Sequence, residues 1–350
     1  MRALGPIVAL AFVTAVVATG RLRRFALAKG MLDIPNERSS HTVAVPRGGG
    51  LSILLAVTLA VSLLIAARKV PAQFLLALFA GGIAVAVVGF ADDRLQLSVK
   101  ARLAVHVSAA TLAVYCLGSV TTGVSGDHLQ LWNWAGYAIG ILGVVWFLNL
   151  FNFMDGIDGL AASEGVFMCA AGAWLGWLGG LPDWLIVSWL IVAAACGGFL
   201  LWNWPPARIF MGDVGSGYVG YAIAVLGIAG LRYNPIMSWS WLILGATFIT
   251  DANVTIAGRL LRGEKVYQAH RTHAYQQLSM RWAAHAPVTV LYMAVNLLWL
   301  LPAAWLALKF SSHASLITLI AYIPVLMMML FLGAGRAAKQ RAASDPEAPR

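Results

Sequence analysis

The sequence predicts an all-α, polytopic membrane helix bundle. Of its 350 residues, 60% are hydrophobic and only 11% are charged, a balance typical of membrane proteins. Crossing about 30 Å of hydrocarbon takes about 20 mostly apolar residues, and about eleven such stretches are bounded by charges or by Gly and Pro turns. Because lipid offers no hydrogen bonds to open backbone, these stretches must be helical.

The predicted spans follow one another without an internal repeat or a linker. They cover roughly residues 3–20, 48–66, 73–90, 101–117, 131–151, 160–179, 184–202, 214–231, 237–258, 287–308 and 314–333. The first is similar to a signal peptide, but arginines follow it directly and no A-x-A cleavage site is present, so we predict a span. Residues 1–335 are therefore predicted to form one membrane domain, followed by a polar tail over residues 336–350.

Basic residues concentrate on one side of the predicted bundle. With the amino terminus outside, the inner loops hold most of the 24 Lys and Arg residues. The outer side keeps only Arg2, Arg68, Lys69, Arg232 and Lys309. Since short cytoplasmic loops carry an excess of Lys and Arg, we predict a periplasmic amino terminus and, with an odd number of spans, a cytoplasmic carboxyl terminus.

The net charge of +10 has a membrane explanation. In a soluble protein it would suggest nucleic-acid binding, but here the basic residues lie in short loops beside apolar spans, where topology and anionic lipid headgroups account for them. Cys116, Cys169 and Cys196 lie within apolar spans without a C-x-x-C spacing, so neither a disulfide nor a cysteine metal site is predicted. We expect membrane lipid, and no nucleic acid, as a partner.

Acidic residues gather on the predicted inner side, and two of them are adjacent. Asp92 and Asp93 end the third span and precede Arg94. Adjacent carboxylates repel each other, so they persist where a cation neutralises them or where one keeps a proton and acts as a base. A solvated helix end with Arg94 as the counter-ion is the alternative.

A second acidic group follows the fifth span. On a continuing helix, Asn152, Asp155 and Asp158 lie at i, i+3 and i+6 on one face, so their oxygens can converge on one ligand. Gly156 and Gly159 permit close backbone approach. A glycine-containing turn capped by Asp is the alternative, but it does not explain the second carboxylate three residues on.

Two further carboxylates lie at or inside spans. Asp213 directly precedes the eighth span, where it either caps the helix or holds a hard divalent cation through oxygen. The other acids on the same face favour the cation. Asp251 lies inside the ninth span, where a charge costs about 2.5 to 3.5 kcal/mol, so this residue is either functional or paired within the bundle.

Two predicted inner loops supply groups that suit a phosphate. The last carries His270, Arg271 and His273, and the first carries His41 and Arg47, followed by three glycines. Basic side chains bind phosphate, and glycine amides at a helix start can cradle an anion. Alternatively, the histidines have no role and the glycines only ease the chain into the second span. With the nearby acids, these loops indicate phosphoryl transfer between a soluble nucleotide and a membrane lipid.

Six motifs in order carry a resemblance to a known family. They are D-I-P-N-E-R-S-S-H, P-R-G-G-G, F-A-D-D, N-F-M-D-G-I-D-G, F-M-G-D-V-G-S and H-R-T-H-A-Y, spread over about residues 30–280. This set resembles the polyprenyl-phosphate N-acetylhexosamine-1-phosphate transferases. The resemblance implies transfer of a sugar 1-phosphate from a UDP-amino sugar to undecaprenyl phosphate, with release of UMP, at the cytoplasmic face of a bacterial inner membrane.

The resemblance also implies a cofactor and residue roles. Asp213 looks like the ligand of Mg²⁺ or Mn²⁺, with Asp155 as a second candidate, and Asp92 and Asp93 look like the catalytic pair. Phe210 matches the position that stacks on uracil. The predicted substrate-binding set comprises Asn152, Asp155, Asp158, Phe210, Arg47, His41, His270, Arg271 and His273. In one mechanism an Asp deprotonates the lipid phosphate, and in the other an Asp forms a covalent phospho-enzyme; we favour direct displacement.

One departure from the family pattern narrows the range of expected substrates. The peptidoglycan branch carries consecutive histidines in the last inner loop, whereas Arg271 and Thr272 separate His270 from His273 here. The pattern is closer to transferases that begin O-antigen or related surface glycans, using UDP-N-acetylglucosamine or a 6-deoxy relative such as UDP-N-acetylfucosamine or UDP-N-acetylquinovosamine. The alternatives are a phospho-N-acetylmuramoyl-pentapeptide transferase and, in a different class, a cation- or proton-coupled transporter. A homodimer is left open.

Overall fold

The computed structural model describes residues 4–35, 43–67, 70–95, 97–118, 129–265 and 270–336, and most of these residues are helical. The helices are α1 (Gly5–Ala28), α2 (Leu51–Ala67), α3 (Ala72–Leu95), α4 (Val99–Leu117), α5 (Leu129–Phe153), α6 (Leu160–Leu178), α7 (Asp183–Asn203), α8 (Asp213–Leu231), α9 (Met237–Leu244), α10 (Ala246–Leu261), α11 (Ala274–Trp282), α12 (Ala286–Lys309) and α13 (Ala314–Leu332). The predicted all-α fold is confirmed.

Two short strands interrupt the described helices. β1 (Leu32–Asp33) and β2 (Val45–Pro46) pair in antiparallel fashion. Residues 36–42 between them, including His41, lie outside the described residues. The strand pair ends at Arg47, which reaches the end of α3.

Within the described residues, seven helical segments are long and apolar enough to cross a membrane. They are α1, α3, Trp134–Phe153 of α5, α7, α8, α12 and Ser311–Leu332, which contains α13. The α9 and α10 helices form an eighth candidate, an apolar pair bent by 66° at Gly245. The shorter α2 helix, together with α4 and α6, coincides with predicted spans without meeting the same criteria. A polytopic membrane protein is confirmed, while the count of eleven and the sidedness of both termini stay predictions.

The α8 helix lies at the centre of the bundle. It is the most deeply buried of the long apolar helices, and it packs against α3 and α5. The fully buried Tyr221 of α8 donates a hydrogen bond from its hydroxyl to the Ala77 carbonyl of α3 at 2.7 Å. The first residue of α8, Asp213, contacts Asp93 near the end of α3. Two predicted site segments, the end of α3 and the start of α8, therefore meet at one end of the bundle.

Glycines let the backbones touch at this end. A Cβ atom at Gly89 of α3 would lie 2.5 Å from the carbonyl oxygen of Asp213, and one at Gly50 would lie 2.1 Å from the Cα atom of Gly215. Real Cβ atoms do not approach so closely. Because only glycine permits these contacts, backbone packing sets the position of Asp213 relative to α2 and α3.

Candidate active site

Three carboxylates and two guanidinium groups form one charge cluster, here named the acid node. Its members are Asp92, Asp93, Asp213, Arg47 and Arg102. Arg47 Nη2 lies 2.8 Å from Asp93 Oδ1 and 3.1 Å from Asp213 Oδ1. Arg102 Nη1 lies 2.5 Å from Asp92 Oδ2 and 3.7 Å from Asp213 Oδ2. The structure thus brings together the predicted catalytic pair and the predicted metal ligand.

Asp93 joins the node to the first turn of α8. Its carboxylate accepts hydrogen bonds from the backbone N–H groups of Asp213 at 3.1 Å and Val214 at 3.4 Å. A helix N-terminus favours a negative charge at this place. The φ angle of Gly212 is 74°, and a Cβ atom there would lie 2.6 Å from Asp93 Oδ2, so the approach requires glycine.

Asp92 is held from the other side of the node. The Leu97 N–H donates to its Oδ1 at 2.8 Å, and Arg102 binds its Oδ2. The Arg102 side chain is 32% exposed and that of Arg47 is 38% exposed, against 10% for Asp92. An incoming anion therefore meets the two arginines before it meets the carboxylates.

The end of α5 and the following loop add two predicted residues. The predicted continuation of the helix is wrong, because α5 ends one residue after Asn152. Asn152 Nδ2 donates to Ser216 Oγ at 2.8 Å, in the first turn of α8. Removal from bulk water raises the pKa of Asp155 well above its usual range; repulsion by Asp213 raises it further, while Arg47 opposes the rise. The structure therefore places Asn152 and Asp155 beside the node.

Asp158 lies at a cleft wall and is held by protein groups. Its Oδ1 lies 3.2 Å from His285 Nδ1, and its Oδ2 accepts a hydrogen bond from the Ala207 N–H at 2.9 Å. Its carbonyl accepts from Thr289 Oγ1 at 3.1 Å. These contacts fix the loop after α5 to the segment before α8 and to the start of α12.

Two clefts share the 45–48 segment as a wall. The larger, of about 990 Å³, is lined by Phe210, Asp158, His285 and three arginines, Arg23, Arg208 and Arg271. The smaller, of about 430 Å³, is lined by residues that include Arg47, Gly48, Phe90, Asp93 and Arg94. The large cleft combines an aromatic ring with positive charge, which suits an aromatic base that carries phosphates.

The histidine loop faces this cleft only in part. Arg271 lines the cleft, whereas His273 is buried against Asp251, with its Nδ1 3.2 Å from Asp251 Oδ1. The His270 ring stacks on His273 with centroids 5.0 Å apart. Burial lowers the pKa of His270 to about 4, and the neighbouring His273 and Arg259 lower it further. Of the three predicted loop residues, Arg271 alone lines the large cleft.

Asp251 is paired within the bundle. Its carboxylate accepts hydrogen bonds from the backbone N–H groups of Ala274 at 2.9 Å and Tyr275 at 3.1 Å, and from the Tyr292 hydroxyl at 2.8 Å. With His273 these donors enclose it completely. Of the two alternatives for this intramembrane acid, internal pairing is the one observed.

The glycine run before α2 does not offer all its amides to an anion. The Gly49 N–H donates to the Phe210 carbonyl and the Gly50 N–H to the Met211 carbonyl, each at 2.9 Å. The expected cradle is therefore wrong for these two amides, because the segment before α8 occupies them.

Several residues of the site carry little signal in the sequence. Arg94, the alternative counter-ion of the Asp pair, lies over the Phe90 ring, and Arg102 binds Asp92 instead. Arg102 and Arg208 are not marked as site residues in the sequence, since the excess of basic residues on the predicted cytoplasmic side already accounts for them. His285 is marked only by its place directly before an apolar span.

The donor set of the node fits a hard divalent cation whose coordination a ligand completes. Within the described ranges, no group of three or more Asp, Glu, His or Cys side chains is placed to hold a metal ion by itself. Mg²⁺ usually takes one or two protein carboxylates together with phosphate oxygens and water. Asp213 would supply such an oxygen if an anion took over its contacts with Arg47 and Arg102.

Comparison with known proteins decides the family. The family model described as glycosyl transferase family 4 matches residues 75–231. A probable undecaprenyl-phosphate N-acetylglucosaminyl 1-phosphate transferase of Bacillus subtilis (strain 168) is 30% identical over 297 residues, which cover 81% of this chain and 80% of that protein. The chain belongs to glycosyl transferase family 4.

Two further relatives of this family 4 protein differ in their named substrates. A decaprenyl-phosphate N-acetylglucosaminephosphotransferase of Mycobacterium tuberculosis (strain ATCC 25618 / H37Rv) is 27% identical over 321 residues, 80% of this chain and 77% of the relative. A phospho-N-acetylmuramoyl-pentapeptide-transferase of Heliobacterium modesticaldum (strain ATCC 51547 / Ice1) is 28% identical over 274 residues, 73% and 82% of the two chains. The predicted family resemblance is confirmed, and the chain is a membrane-embedded transferase.

Proposed function

We propose that this protein transfers an N-acetylhexosamine 1-phosphate group from a UDP-amino sugar to undecaprenyl phosphate and releases UMP. The acid node carries the proposal: Asp92, Asp93 and Asp213 converge at one end of the bundle, close to a cleft with an aromatic ring and three arginines. The names of the Bacillus and Mycobacterium relatives support a polyprenyl phosphate and an N-acetylglucosamine phosphate group as the reacting pair.

The large cleft is assigned to the UDP-amino sugar. Its volume of about 990 Å³ suits a nucleotide sugar, since small-molecule sites measure roughly 300–1,000 Å³. Phe210 offers a ring on which uracil stacks. Arg208 and Arg271 donate charge-assisted hydrogen bonds to the diphosphate.

The lipid phosphate is assigned to the α4 side of the node. The outer surface of α4 exposes Val99, Leu103 and Val107, along which an isoprenoid chain can lie. Arg102 is the node cation on the same helix. The phosphate therefore reaches Asp92 through Arg102 without leaving the membrane surface.

The reaction is a displacement at the β-phosphorus of the UDP-sugar. An oxygen of undecaprenyl phosphate bonds to that phosphorus, the bond to the bridging oxygen breaks, and UMP leaves. Asp92 takes the proton of a protonated lipid phosphate, while Asp93, committed to the α8 amides and Arg47, positions Asp213. Arg47 and Arg102 balance the phosphate charge. The alternative is attack by an Asp oxygen and a covalent phospho-enzyme.

Asp213 is assigned to Mg²⁺ or Mn²⁺, with Asp155 as the second candidate. The bound ion would neutralise phosphate charge at the node. We place the reaction at the cytoplasmic face of a bacterial inner membrane, because the node lies at the end predicted to carry the basic loops. The separated histidines of the last loop favour an O-antigen or surface-glycan precursor over a muramoyl-pentapeptide.

The test is UMP release by the purified protein. With UDP-N-acetylglucosamine, we expect UMP and a lipid-linked diphosphosugar only when undecaprenyl phosphate and Mg²⁺ are both supplied. UDP-N-acetylfucosamine and UDP-N-acetylquinovosamine, assayed in parallel, identify the preferred sugar. Turnover of UDP-N-acetylmuramoyl-pentapeptide alone, or UMP release that ignores the lipid, would refute the proposal. Radioactive phosphate retained on the protein without lipid would favour the covalent route.

A further inference from the structure

One face of α12 carries polar residues that the proposed mechanism does not use. His285, directly before the helix, is followed by Thr289, Tyr292 and Asn296 at intervals of four, three and four residues. This spacing places all four on one face, here named the α12 stripe. The last three are fully buried, while apolar side chains such as Leu298 are exposed. The span therefore turns its polar groups inward.

The first half of the α12 stripe holds the acidic loop after α5. His285 Nδ1 lies 3.2 Å from Asp158 Oδ1. Thr289 Oγ1 donates to the Asp158 carbonyl at 3.1 Å. Both contacts act on the same residue, so the position of α12 along its axis determines where this loop sits.

The third stripe residue holds the histidine loop through Asp251. The Tyr292 hydroxyl donates to Asp251 Oδ2 at 2.8 Å, and the same oxygen accepts the Tyr275 N–H at 3.1 Å. The Tyr275 hydroxyl donates to the Phe153 carbonyl at 2.9 Å, immediately before the acidic loop. A Cβ atom at Gly156 would lie 2.1 Å from that hydroxyl. The two loops are thus joined both directly and through α12.

Asn296 closes this network deep in the bundle. Its Nδ2 donates to Glu164 Oε2 at 2.5 Å, and its Oδ1 accepts from Thr247 Oγ1 at 3.0 Å. Glu164 is fully buried, one turn inside α6, and Thr247 lies one turn before Asp251 in α10. Asn296 also begins a π-helical turn, a feature that is frequent at functional sites. One side chain therefore ties α6, α10 and α12 together.

Stability alone does not account for such a network. A carboxylate inside a membrane span is costly, and replacing buried ionic groups by apolar residues of similar volume is often neutral or stabilising. Fixing the register of neighbouring helices is the best-supported use of buried polar groups. Glu164 and Asn296 lie where they fix the register of α12 against α6.

We propose that Asn296, with Glu164 as its partner, is a positioning residue for the transfer reaction. The pair sets the depth of α12 and, through the α12 stripe, the spacing between Asp155 and Asp158 on one loop and Arg271 on the other. The inference rests on the proposed transfer, which needs both loops at one nucleotide sugar. Misplacing reacting groups by about 1 Å can cost about 100-fold in rate.

The test uses apolar replacements of similar size. In Asn296→Leu and Glu164→Leu we expect kcat per folded molecule to fall about 10- to 100-fold. Each single change leaves a buried polar partner unpaired and should lower the unfolding temperature in detergent, whereas the variant with both changes should unfold no earlier than wild type. The kcat of the double variant should be no lower than that of the worse single variant, because both changes remove the same hydrogen bond. Glu164→Gln keeps an oxygen acceptor for Asn296 and should stay within about threefold of wild type.

Ser240→Ala is the matched control. The Ser240 hydroxyl donates to the Ala304 carbonyl at 2.9 Å, a buried bond to α12 outside the α12 stripe. Its loss should leave kcat within about twofold of wild type. Equal losses in Ser240→Ala and Asn296→Leu, or wild-type kcat in both leucine variants, would overturn the proposal. If the leucine variants do not fold, Thr247→Val serves instead, and an unchanged kcat there would count against it.

A distance measurement separates this inference from the proposed function. Spin labels at the exposed Phe153 and Met280 report on the two loops without any substrate. We expect Asn296→Leu to broaden the distance distribution and Ser240→Ala to leave it narrow. A narrow distribution in Asn296→Leu overturns the positioning role. If the wild-type protein releases no UMP, the proposed function is refuted. A broadened distance distribution in Asn296→Leu would then still support the coupling between the two loops.

Discussion

Two carboxylate-containing clusters in this protein differ in composition and in exposure to solvent. In the acid node, three carboxylates share two arginines whose side chains are 38% and 32% exposed. Around Asp251, one fully buried carboxylate accepts hydrogen bonds from Thr255, His273, Ala274, Tyr275 and Tyr292. The first cluster has one carboxylate more than it has guanidinium groups, and the second has more donors than its one carboxylate needs.

This difference distinguishes the acid node, the proposed ligand site, from the Asp251 cluster, which holds helices and loops together. A carboxylate saturated by protein donors has no lone pair left for a cation, and removing it strands those donors. Carboxylates that repel one another are neutralised more fully when a cation arrives. We therefore expect changes at the node to affect turnover and changes at Asp251 to affect folding.

The largest expected effect is the loss of activity in Asp213→Asn. We expect turnover to fall about 1,000-fold, because the change removes the assigned cation ligand at a site where single groups contribute about 100- to 10,000-fold. Thermal stability in detergent should be kept, since one repelling charge disappears. UMP release and unfolding curves measure the two quantities. Asp183→Asn, at the start of α7, should retain wild-type turnover, and unchanged turnover in Asp213→Asn would remove the metal assignment.

In contrast to Asp213→Asn, Asp251→Ala should lower the stability of the protein more than its turnover. Breaking a buried, hydrogen-bonded pair costs about 3–5 kcal/mol, so we expect a clearly lower melting temperature and a matching loss of folded protein. Activity per folded molecule is the informative quantity. A fully stable Asp251→Ala protein that no longer releases UMP would place Asp251 in the chemistry and end the distinction between the two clusters.

Gly212→Ala tests whether the node depends on backbone geometry. Gly212 and Gly180 have φ angles of 74° and 75°, so alanine at either position costs about 1–2 kcal/mol. At Gly212 alone the new Cβ atom meets Asp93 Oδ2, while Gly180 has open space. We expect about a tenfold fall in kcat for Gly212→Ala and none for Gly180→Ala. Equal kinetics in the two variants would argue against a fixed Asp93.

The smallest expected effect concerns Asp155 and pH. Its raised pKa means that the folded protein binds a proton more tightly than the unfolded chain, so stability falls as pH rises above the usual carboxyl pKa of about 3.9. Asp155→Asn should therefore raise the melting temperature of the substrate-free protein by about 2 °C at pH 7.5, and the gain should shrink on acidification. Glu264→Gln is the control of opposite sign, because Arg262 lowers the pKa of Glu264.

Much of the site can be predicted from the sequence, because its residues lie next to glycines and at the ends of predicted spans. Asp92, Asp93 and Asp213 stand out as acids beside apolar runs, and the structure joins them. The continuing helix predicted for Asn152, Asp155 and Asp158 is wrong, because α5 ends at Phe153; Asn152 and Asp155 nevertheless lie beside the node. The assignment of the first inner loop fails in part, because backbone partners of Gly49 and Gly50 come from a distant segment and leave no local signal.

The residues that sequence analysis misses act through other helices. The excess of basic residues on the predicted cytoplasmic side already accounts for Arg102, so the sequence does not indicate its contact with Asp92. Glu164 is a carboxylate inside an apolar run and could have been singled out, as Asp251 was. Its partner Asn296 lies in another span, and only the fold brings the two together.

The glycine contacts at the start of α8 have a consequence for substrate choice. Since Gly50 and Gly89 bring main chains into direct contact, no side chain can adjust the spacing at these two contacts. With the nucleotide sugar assigned to the large cleft as proposed, we expect new sugar preferences to arise from changes in the lining of that cleft, while the centre stays constant. Libraries aimed at altered donors should vary that lining and leave the glycines alone.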